Sequence, residues 1–273
     1  MRKAKWIAII AAIICMIGGT VAAVLAMFMM KFDFSSLNTS KVSSKTYEVE
    51  EPFKNLNLQA TECNVRILPS QDGVSKVICM DSDSITYSVA VEADTLYVTR
   101  EDNRKWYEHI GFFWDEMGIT VYLPEKELEQ LYIKSVSGDI IISENMSFES
   151  AEIYNTSGDI TLAELTVDNL EADTTSGEIE LYDVLVKNDI QMESASGDVE
   201  FRDIDGENLW IKTISGEVEG TLRSGKMFRV CTTSGEVQIP NSSAEGGNCE
   251  IITTSGDIEI RVKDDLRFLS KMG

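Results

Sequence analysis

The sequence predicts an all-β protein: a parallel β-solenoid (a single-stranded β-helix) of ~19–20-residue coils, preceded by one N-terminal transmembrane helix. A Ser-Gly-acid-(Ile/Val) motif that occurs seven times between residues 137 and 258 predicts the coils. Apolar residues spaced by two around each motif predict strands, because alternate side chains of a strand face the same side. A run of 25 residues without charge predicts the membrane helix.

The N-terminal segment has the features of a signal anchor. Arg2, Lys3 and Lys5 precede the uncharged run Trp6–Met30, which is long enough to cross the hydrocarbon core as a helix. A cleaved signal peptide is the alternative, but its apolar region spans only ~7–15 residues. Basic residues stay on the cytoplasmic side. We therefore expect residues 1–5 in the cytoplasm, a single pass through the cell membrane at 6–30, and an extracellular C-terminal domain.

The charge of the chain excludes one class of partner. With 46 Asp and Glu against 24 Lys and Arg, the formal net charge is −22 and the pI is about 4.4. Nucleic-acid binding needs a basic face that releases counterions from phosphates, so no nucleic acid is expected as a partner. Residues 31–46, rich in Ser, Thr and Asn, are interpreted as a stalk between the membrane and the acidic domain.

The motif glycines set the repeat. They are 20, 19, 20, 19, 19 and 21 residues apart. Positions seven and five before each glycine, and two and four after it, are almost all apolar. Each repeat therefore provides two short strands joined by a Ser-Gly corner, where we expect glycine to supply a positive φ. Small polar residues three before each glycine face inward by parity, and we expect them to hydrogen-bond to one another along the stack.

One repeat cannot bury two apolar strand faces alone, whereas stacked coils can, with each strand pairing with the same strand of the next coil. We therefore predict a seven-coil solenoid over residues 131–263, followed by a C-terminal tail, 264–273. An antiparallel sandwich of the same period would bury the same residues. Its turns, however, have no reason to repeat one chemistry seven times, so the solenoid is the favoured interpretation.

Residues 47–130 are predicted to be an N-terminal β section of the same stack. Cys63 takes the glycine place of a divergent coil, and Asn64 takes the acid place. Further strands are expected at 74–80, 85–91, 96–99 and 119–123. An insert rich in aromatic residues, 101–117, interrupts them.

These features resemble the bacterial putative-adhesin family. The resemblance rests on the N-terminal anchor, the strand that ends in Leu123-Pro124 and the Ser-Gly-Asp/Glu-Ile/Val corners; it covers about residues 45–262, most strongly 119–262. It implies a β-helical envelope protein, and some members of the family are encoded beside cell-envelope-stress sensors. It carries over no binding residue. Cys63 and the aromatic insert depart from the pattern.

The acids that follow the corner glycines form one candidate site. In stacked coils they would lie in one column, where carboxylate oxygens could bind Ca²⁺. The alternative is that each carboxylate caps its corner by accepting backbone N–H bonds, and the mixture of Asp and Glu favours this alternative. No other cofactor is expected. The residues are Asp139, Asp159, Glu178, Asp198, Glu217, Glu236 and Asp257.

The aromatic insert is a second candidate, for binding a ligand or partner. Exposed aromatic side chains stack on sugar rings or bury in partner proteins. Alternatively they fold back to cover an end of the solenoid, which such stacks must protect. The lone His109 adds no motif. The candidates are Trp106, Tyr107, Phe112, Phe113 and Trp114.

The motifs of common enzyme classes are missing from the sequence. It contains no catalytic triad pattern, His cluster or phosphate-binding glycine loop, so we expect a non-catalytic binding or adhesion module whose partner is a cell-wall or surface glycan or an envelope protein. The alternative is a structural or regulatory component of an envelope stress-response system that contacts another membrane protein. Cys63, Cys79, Cys231 and Cys249 are expected to be single thiols, although an exported chain could pair them.

Overall fold

The computed structural model describes residues 16, 18–21, 43–81, 84–103, 118–124, 128–243 and 246–263. The chain divides into two compact units, Met1–Lys41 with Arg104–Asp115, and Val42–Asn103 with Glu116–Gly273. In the first unit the described residues are Met16 and 18–21, all helical. Within the described residues no helix is long and apolar enough to span a membrane. The rest of the predicted anchor, Trp6–Met30, lies outside them.

The second unit is built from β-strands that alternate buried and exposed side chains. The strands are β1 Ser43–Val49, β2 Asn55–Gln59, β3 Asn64–Pro69, β4 Ser75–Asp81, β5 Ile85–Glu92, β6 Thr95–Asp102, β7 Gly118–Leu123, β8 Leu128–Lys134, β9 Ile140–Ile142, β10 Met146–Ser157, β11 Ile160–Ala163, β12 Leu165–Ser176, β13 Ile179–Tyr182, β14 Leu185–Val186, β15 Asp189–Ser196, β16 Val199–Ile204, β17 Asn208–Ser215, β18 Val218–Leu222, β19 Met227–Ser234, β20 Val237–Gln238, β21 Asn248–Ser255 and β22 Ile258–Val262. The first strand begins at Ser43, inside the segment interpreted as a stalk.

Two long sheets contain these strands. Sheet A has the order β1-β4-β7-β3-β9-β11-β13-β16-β18-β22-β20, and sheet B the order β19-β21-β17-β15-β12-β10-β8-β2-β6-β5, with β14 beside β12. Pairing between coils is parallel throughout, and antiparallel pairs occur only at β1/β4, β4/β7 and β5/β6 among the described strands. The parallel stacking confirms the β-solenoid prediction over the antiparallel sandwich.

The core lies between the two sheets. The predicted apolar columns are buried there, as in the coil of Leu170, Ala172, Ile179 and Leu181, each no more than 2% exposed. Equivalent residues of adjacent coils are direct register partners, for example Ile179 and Val199. Each coil therefore buries its apolar faces against the coils on either side, as the period of two predicted.

The motif glycines are required mainly by the stacking of the corners. An ideal Cβ placed on Gly177, Gly197 or Gly216 would lie 2.6–2.7 Å from the carbonyl carbon of the glycine in the coil below, and closer still to its oxygen. Positive φ occurs at Gly138, Gly158, Gly235 and Gly256, but not at these three. The expectation that φ explains every glycine is therefore wrong.

The inward polar residues of the corners bond to backbone carbonyls. Asn155 Nδ2 donates to the carbonyl oxygens of Gly138 and Gly158 at 2.9 and 3.0 Å. The hydroxyls of Ser194 and Thr213 donate to the preceding coil's glycine carbonyl, each at 3.3 Å. The hydrogen bonds of these three side chains join adjacent coils through the backbone, and not through the side-chain ladder that parity suggested.

The second corner of each early coil uses a residue in the left-handed region. These residues are acidic and recur with the period of the repeat: Glu144, Glu164, Asp183 and Asp203, with φ of 72°, 55°, 53° and 57°. In the fifth coil the same position, six after the glycine, is Leu222. This is where the chain leaves its regular path.

The stacking order of the last two coils differs from the chain order. Strands β21 and β22, from the seventh repeat, pair with β17 and β18 of the fifth. The sixth repeat, β19 and β20, pairs with the seventh and is the last layer of the stack. The prediction that each coil pairs with the next along the chain is therefore wrong at this end, although it holds for repeats one to five.

The stacking order requires the segment after β18 to pass the segment before β21, and Lys226 lies at this crossing. Its side chain is 1% exposed, and its Nζ forms an ion pair with Asp205 at 2.7 Å. The same atom donates to the carbonyl oxygens of Gly206, at 2.5 Å, and Gly246. A Cβ on Gly246 would clash with the backbone of Gly225, so two backbone segments pass in close contact here.

The N-terminal section joins the stack as predicted, with a similar change of order. Strands β2 and β3 form the divergent coil and pair with β8 and β9 of the first repeat. Strands β6 and β7 stack on the outer side of that coil. The antiparallel neighbours β5 and β4, with β1 beside β4, complete this end of the two sheets. The sheets are thus antiparallel at the N-terminal end, while the other end leaves β19 and β20 as edge strands.

Candidate functional site

The acid column follows the Ser-Gly corners along sheet A. Each Asp in it accepts the backbone N–H of the acid in the next coil through Oδ1: Asp139 from Asp159 at 3.1 Å, Asp159 from Glu178 at 2.9 Å, Asp198 from Glu217 at 2.7 Å and Asp257 from Glu236 at 2.7 Å. Asn64 accepts from Asp139 in the same way, at 2.9 Å. The capping interpretation is thus supported in a modified form, because each side chain caps the neighbouring corner.

One Glu of the column, Glu178, lies close to two acids outside it, Glu180 and Glu200. One ligand oxygen from each of Glu178, Glu180 and Glu200 lies within 4.8 Å of the others. Burial raises the pKa of Glu178, and the neighbouring carboxylates, Glu180 first, raise it further. The three carboxylates could supply oxygen ligands to a cation, but exposed acidic groups are common without one. The Ca²⁺ prediction therefore stays a prediction.

A hollow of about 350 Å³ lies on the outer face of sheet B, and we call it the outer hollow. Its wall and floor come from β10, β12, β15 and β17, which are consecutive strands of the sheet. Two columns contribute, because outward side chains alternate along each strand. The residues used below are Tyr154, Asp173, Thr175, Glu193, Lys212 and Ile214.

Asp173 is the electrostatically unusual group of the outer hollow. Its Oδ1 is buried and has no hydrogen-bond partner among the described residues. Burial, and then the neighbouring Glu171 and Glu193, raise the pKa of Asp173 to about 6, while Lys212 opposes them. The ammonium of Lys212 pairs instead with Glu193, at 3.2 Å. Asp173 therefore offers an acceptor oxygen that the described protein does not use.

Aromatic side chains flank these acids. The rings of Tyr132 and Tyr154 are 5.8 Å apart between centroids and inclined by 50°. Burial and Glu171 raise the pKa of Tyr154, so its hydroxyl stays protonated. On the other side, Lys212 Nζ lies 5.7 Å from the ring centroid of Trp210. The outer face thus carries aromatic, acidic and small polar side chains together.

The family follows from a match that spans most of the chain. Residues 53–269 match the family model described as Toastrack DUF4097. The chain belongs to this family. Among curated proteins, none is similar enough to count as a relative.

Solved structures share the Toastrack fold at low sequence identity. A putative adhesin from Bacteroides fragilis NCTC 9343 has a TM-score of 0.51 at 16% identity, over 81% of this chain and 97% of that one. A putative adhesin from Parabacteroides distasonis ATCC 8503 has a TM-score of 0.50 at 13% identity, over 80% and 97%. At these identities the likeness establishes the fold, and it agrees with the resemblance that the corner motifs carry.

The aromatic insert of this Toastrack chain follows strand β6 and precedes strand β7. Trp106, Tyr107, Phe112, Phe113, Trp114 and His109 all lie outside the described residues. The flanking strands β6 and β7 pair with β2 and β3 of the divergent coil. The insert therefore stands, along the chain, where the other coils have their Ser-Gly corner. Its binding and capping roles both stay predictions.

The four described cysteines are free, as preferred from the sequence. Cys63, Cys79 and Cys249 are buried and Cys231 is exposed. Burial raises the pKa of the Cys79 and Cys249 thiols to about 12. The buried thiols are therefore protonated and behave as small apolar side chains.

Sequence reasoning missed the outer hollow. The period of two already placed Tyr154, Asp173, Glu193 and Lys212 in one outward column, four residues before each glycine. What the pattern could not show is which of them finds a partner. That depends on side-chain direction, and it leaves Asp173 unpaired while Glu193 takes the lysine.

Proposed function

We propose that this protein is a membrane-anchored, outward-facing and non-catalytic binding module of the bacterial envelope. The anchor Trp6–Met30 would hold it in the cell membrane with its N-terminus in the cytoplasm. The Toastrack domain would present its sheet faces to a cell-wall or surface glycan or to an envelope protein. The names of the similar structures from B. fragilis and P. distasonis, both putative adhesins, support a binding role.

The observation that carries this proposal is the form of the surface between residues 140 and 222. Strands there are joined by short turns: β10 ends at Ser157 and β11 begins at Ile160, while β11 ends at Ala163 and β12 begins at Leu165. Turns of this length build no walls for a deep groove. A broad face with a shallow hollow suits binding, whereas hydrolysis of a polysaccharide needs paired carboxylates held on either side of an enclosed bond.

The charge supports an uncharged or cationic partner. A net charge of −22 repels phosphate-rich and uronate-rich polymers and keeps copies of the domain apart. The parallel sheets also supply a rigid scaffold, on which a binding face needs little ordering when the partner arrives.

Two measurements on the full-length chain test the proposal. Protease treatment of intact cells should remove a C-terminal tag and leave an N-terminal one, as expected for an N-in anchor. Detergent-solubilised protein should co-sediment with cell-wall sacculi from the same bacterium, and an excess of unlabelled protein should compete. A protected C-terminal tag would contradict the location. Co-purification of one membrane protein, with no sedimentation on sacculi, would instead favour the stress-response alternative.

A further inference from the structure

We propose that the outer hollow of sheet B is a sugar-binding site for a non-anionic glycan, whose units carry hydroxyl or amino groups and no carboxylate or phosphate. This inference rests on the proposed binding function and names its surface and ligand class.

The shape of the outer hollow comes from a change in side-chain size along one column. Two residues before each glycine, Val136 and Ile214 are both 50% exposed. Between them the same column holds Thr156, Thr175 and Ala195. From β10 to β17 the hollow crosses three strand spacings, or ~14 Å. This length and the volume of about 350 Å³ fit a short stretch of oligosaccharide, within the ordinary range for ligand pockets.

An unused acceptor lies in the outer hollow. Buried polar atoms in proteins almost always have a hydrogen-bond partner, so one that lacks a partner calls for an explanation. Asp173 Oδ1 is such an atom. The nearest cation, Lys212, is paired with Glu193 at 3.2 Å. Because this oxygen is itself covered, the Asp173 side chain must turn toward the hollow before a ligand donor, such as a sugar hydroxyl or amine, supplies the missing bond.

The charges around the outer hollow select against anions. Glu171 and Glu193 both act on Asp173, and among the described residues Lys212 is the cation that opposes them. A carboxylate or phosphate on the ligand would therefore meet net repulsion at short range. Hydroxyl groups meet no such penalty, and a protonated amine would be attracted.

An aromatic ring completes the site. Tyr154 lines the outer hollow, and its ring is braced by Tyr132 at 5.8 Å. A tyrosine ring presents an apolar face with a polar tip, on which the C–H face of a sugar can stack while its hydroxyls reach the acids. Ile214 supplies an apolar contact on the opposite side. Rigid aromatic faces with nearby acceptors are the chemistry that recognises uncharged polyols.

Calorimetric titration of the full-length chain tests the site, in a detergent without sugar head groups. The probes are the tetramers of glucosamine, N-acetylglucosamine, glucose and galacturonate. At least one of the first three should bind saturably, and the galacturonate tetramer should not. Tyr154→Ala and Asp173→Leu should each weaken binding at least tenfold.

Matched controls separate the site from the rest of the surface. Tyr182→Ala removes a half-buried tyrosine from sheet A, and Glu152→Gln removes an exposed acid from the outer face of β10; neither should change the affinity. Asp173→Leu should keep or raise the melting temperature, because it removes an unpaired acid and not a contact. Lost binding in a stably folded variant therefore supports the site.

Three results would overturn the inference. They are no binding of any non-anionic tetramer, equal binding of the galacturonate tetramer, or binding that survives both substitutions in the hollow. The sacculus assay distinguishes the two levels of failure. If the wild type and both variants sediment with sacculi equally, the hollow is not the binding site but the proposed function stands. If the wild type itself does not sediment with sacculi, the proposed function fails as well.

Discussion

Replacing Gly197 by alanine tests whether corner stacking holds the solenoid together. The new Cβ would lie 2.6 Å from the carbonyl carbon of Gly177, whereas ordinary contacts begin at 3.4 Å. The corners must therefore separate by roughly 1 Å, in a stack whose strands are ~4.8 Å apart. Overpacking of this kind costs about 1–3 kcal/mol. The corner hydrogen bonds of Ser194 and Thr213, each 3.3 Å long, would add ~1 kcal/mol apiece.

The expected loss is thus about 3–5 kcal/mol of unfolding free energy, measured by urea denaturation of the purified chain. Gly73→Ala is the matched control. Gly73 has a φ of +73° with nothing within 4 Å of an added Cβ, so only the left-handed conformation is penalised, by ~1–2 kcal/mol. If Gly197→Ala costs no more than Gly73→Ala, the stacking argument is wrong.

Three further outcomes are expected. Asp173→Asn should raise the unfolding free energy at pH 7 by about 1–2 kcal/mol: the shift from 3.8 to about 6 corresponds to ~3 kcal/mol, reduced for partial exposure. The folded state keeps this proton to a higher pH than the unfolded chain does. The unfolding free energy of the wild type should therefore decrease as the pH rises from about 4 to 6, and decrease less in the variant. Identical pH profiles of the two proteins would contradict this. Lys226→Met should cost about 2–4 kcal/mol because it leaves Asp205 without its buried partner, whereas Lys187→Met, at an exposed ion pair, should cost under ~0.5 kcal/mol; equal costs in thermal melts would contradict it. Asp198→Ala should cost ~1 kcal/mol, and Asp198→Asn, which keeps an acceptor for the Glu217 N–H, much less; a saturable, Ca²⁺-specific rise in melting temperature that Asp198→Asn abolishes would instead make the acid column a metal site.

The strands and the core were predictable because a period of two appears directly in the sequence. The divergent coil was also found, since Cys63 and Asn64 occupy the places of Gly138 and Asp139 in register. Stacking contacts between glycines could not be read, because they depend on the distance between coils and not on the conformation of one residue. A conformational reason for glycine and a packing reason look the same in a single sequence.

The change of coil order leaves a signal in the sequence. Four successive repeats have an acid six residues after the glycine, in the left-handed region, and the fifth has Leu222. Gly225, Gly246 and Gly247 then mark the close crossing. The break in the pattern shows where the chain stops stacking its coils in sequence order. It does not indicate which layer the next coil will join, because all coils present the same two edges.

That order has a consequence for how the molecule is completed. Synthesis proceeds from the N-terminus, so residues 227–238 emerge before 248–262, the segment on which they must dock. Until then the layer on which they dock in the folded protein does not exist, so Phe228 and Val230 lack their native packing partners. Residues 248–262 therefore enter between the fifth and sixth repeats, and this long-range pairing is expected to be slow. Deletion of about the last two dozen residues would remove an internal layer and leave the outermost layer, residues 227–238, without the strands it pairs with.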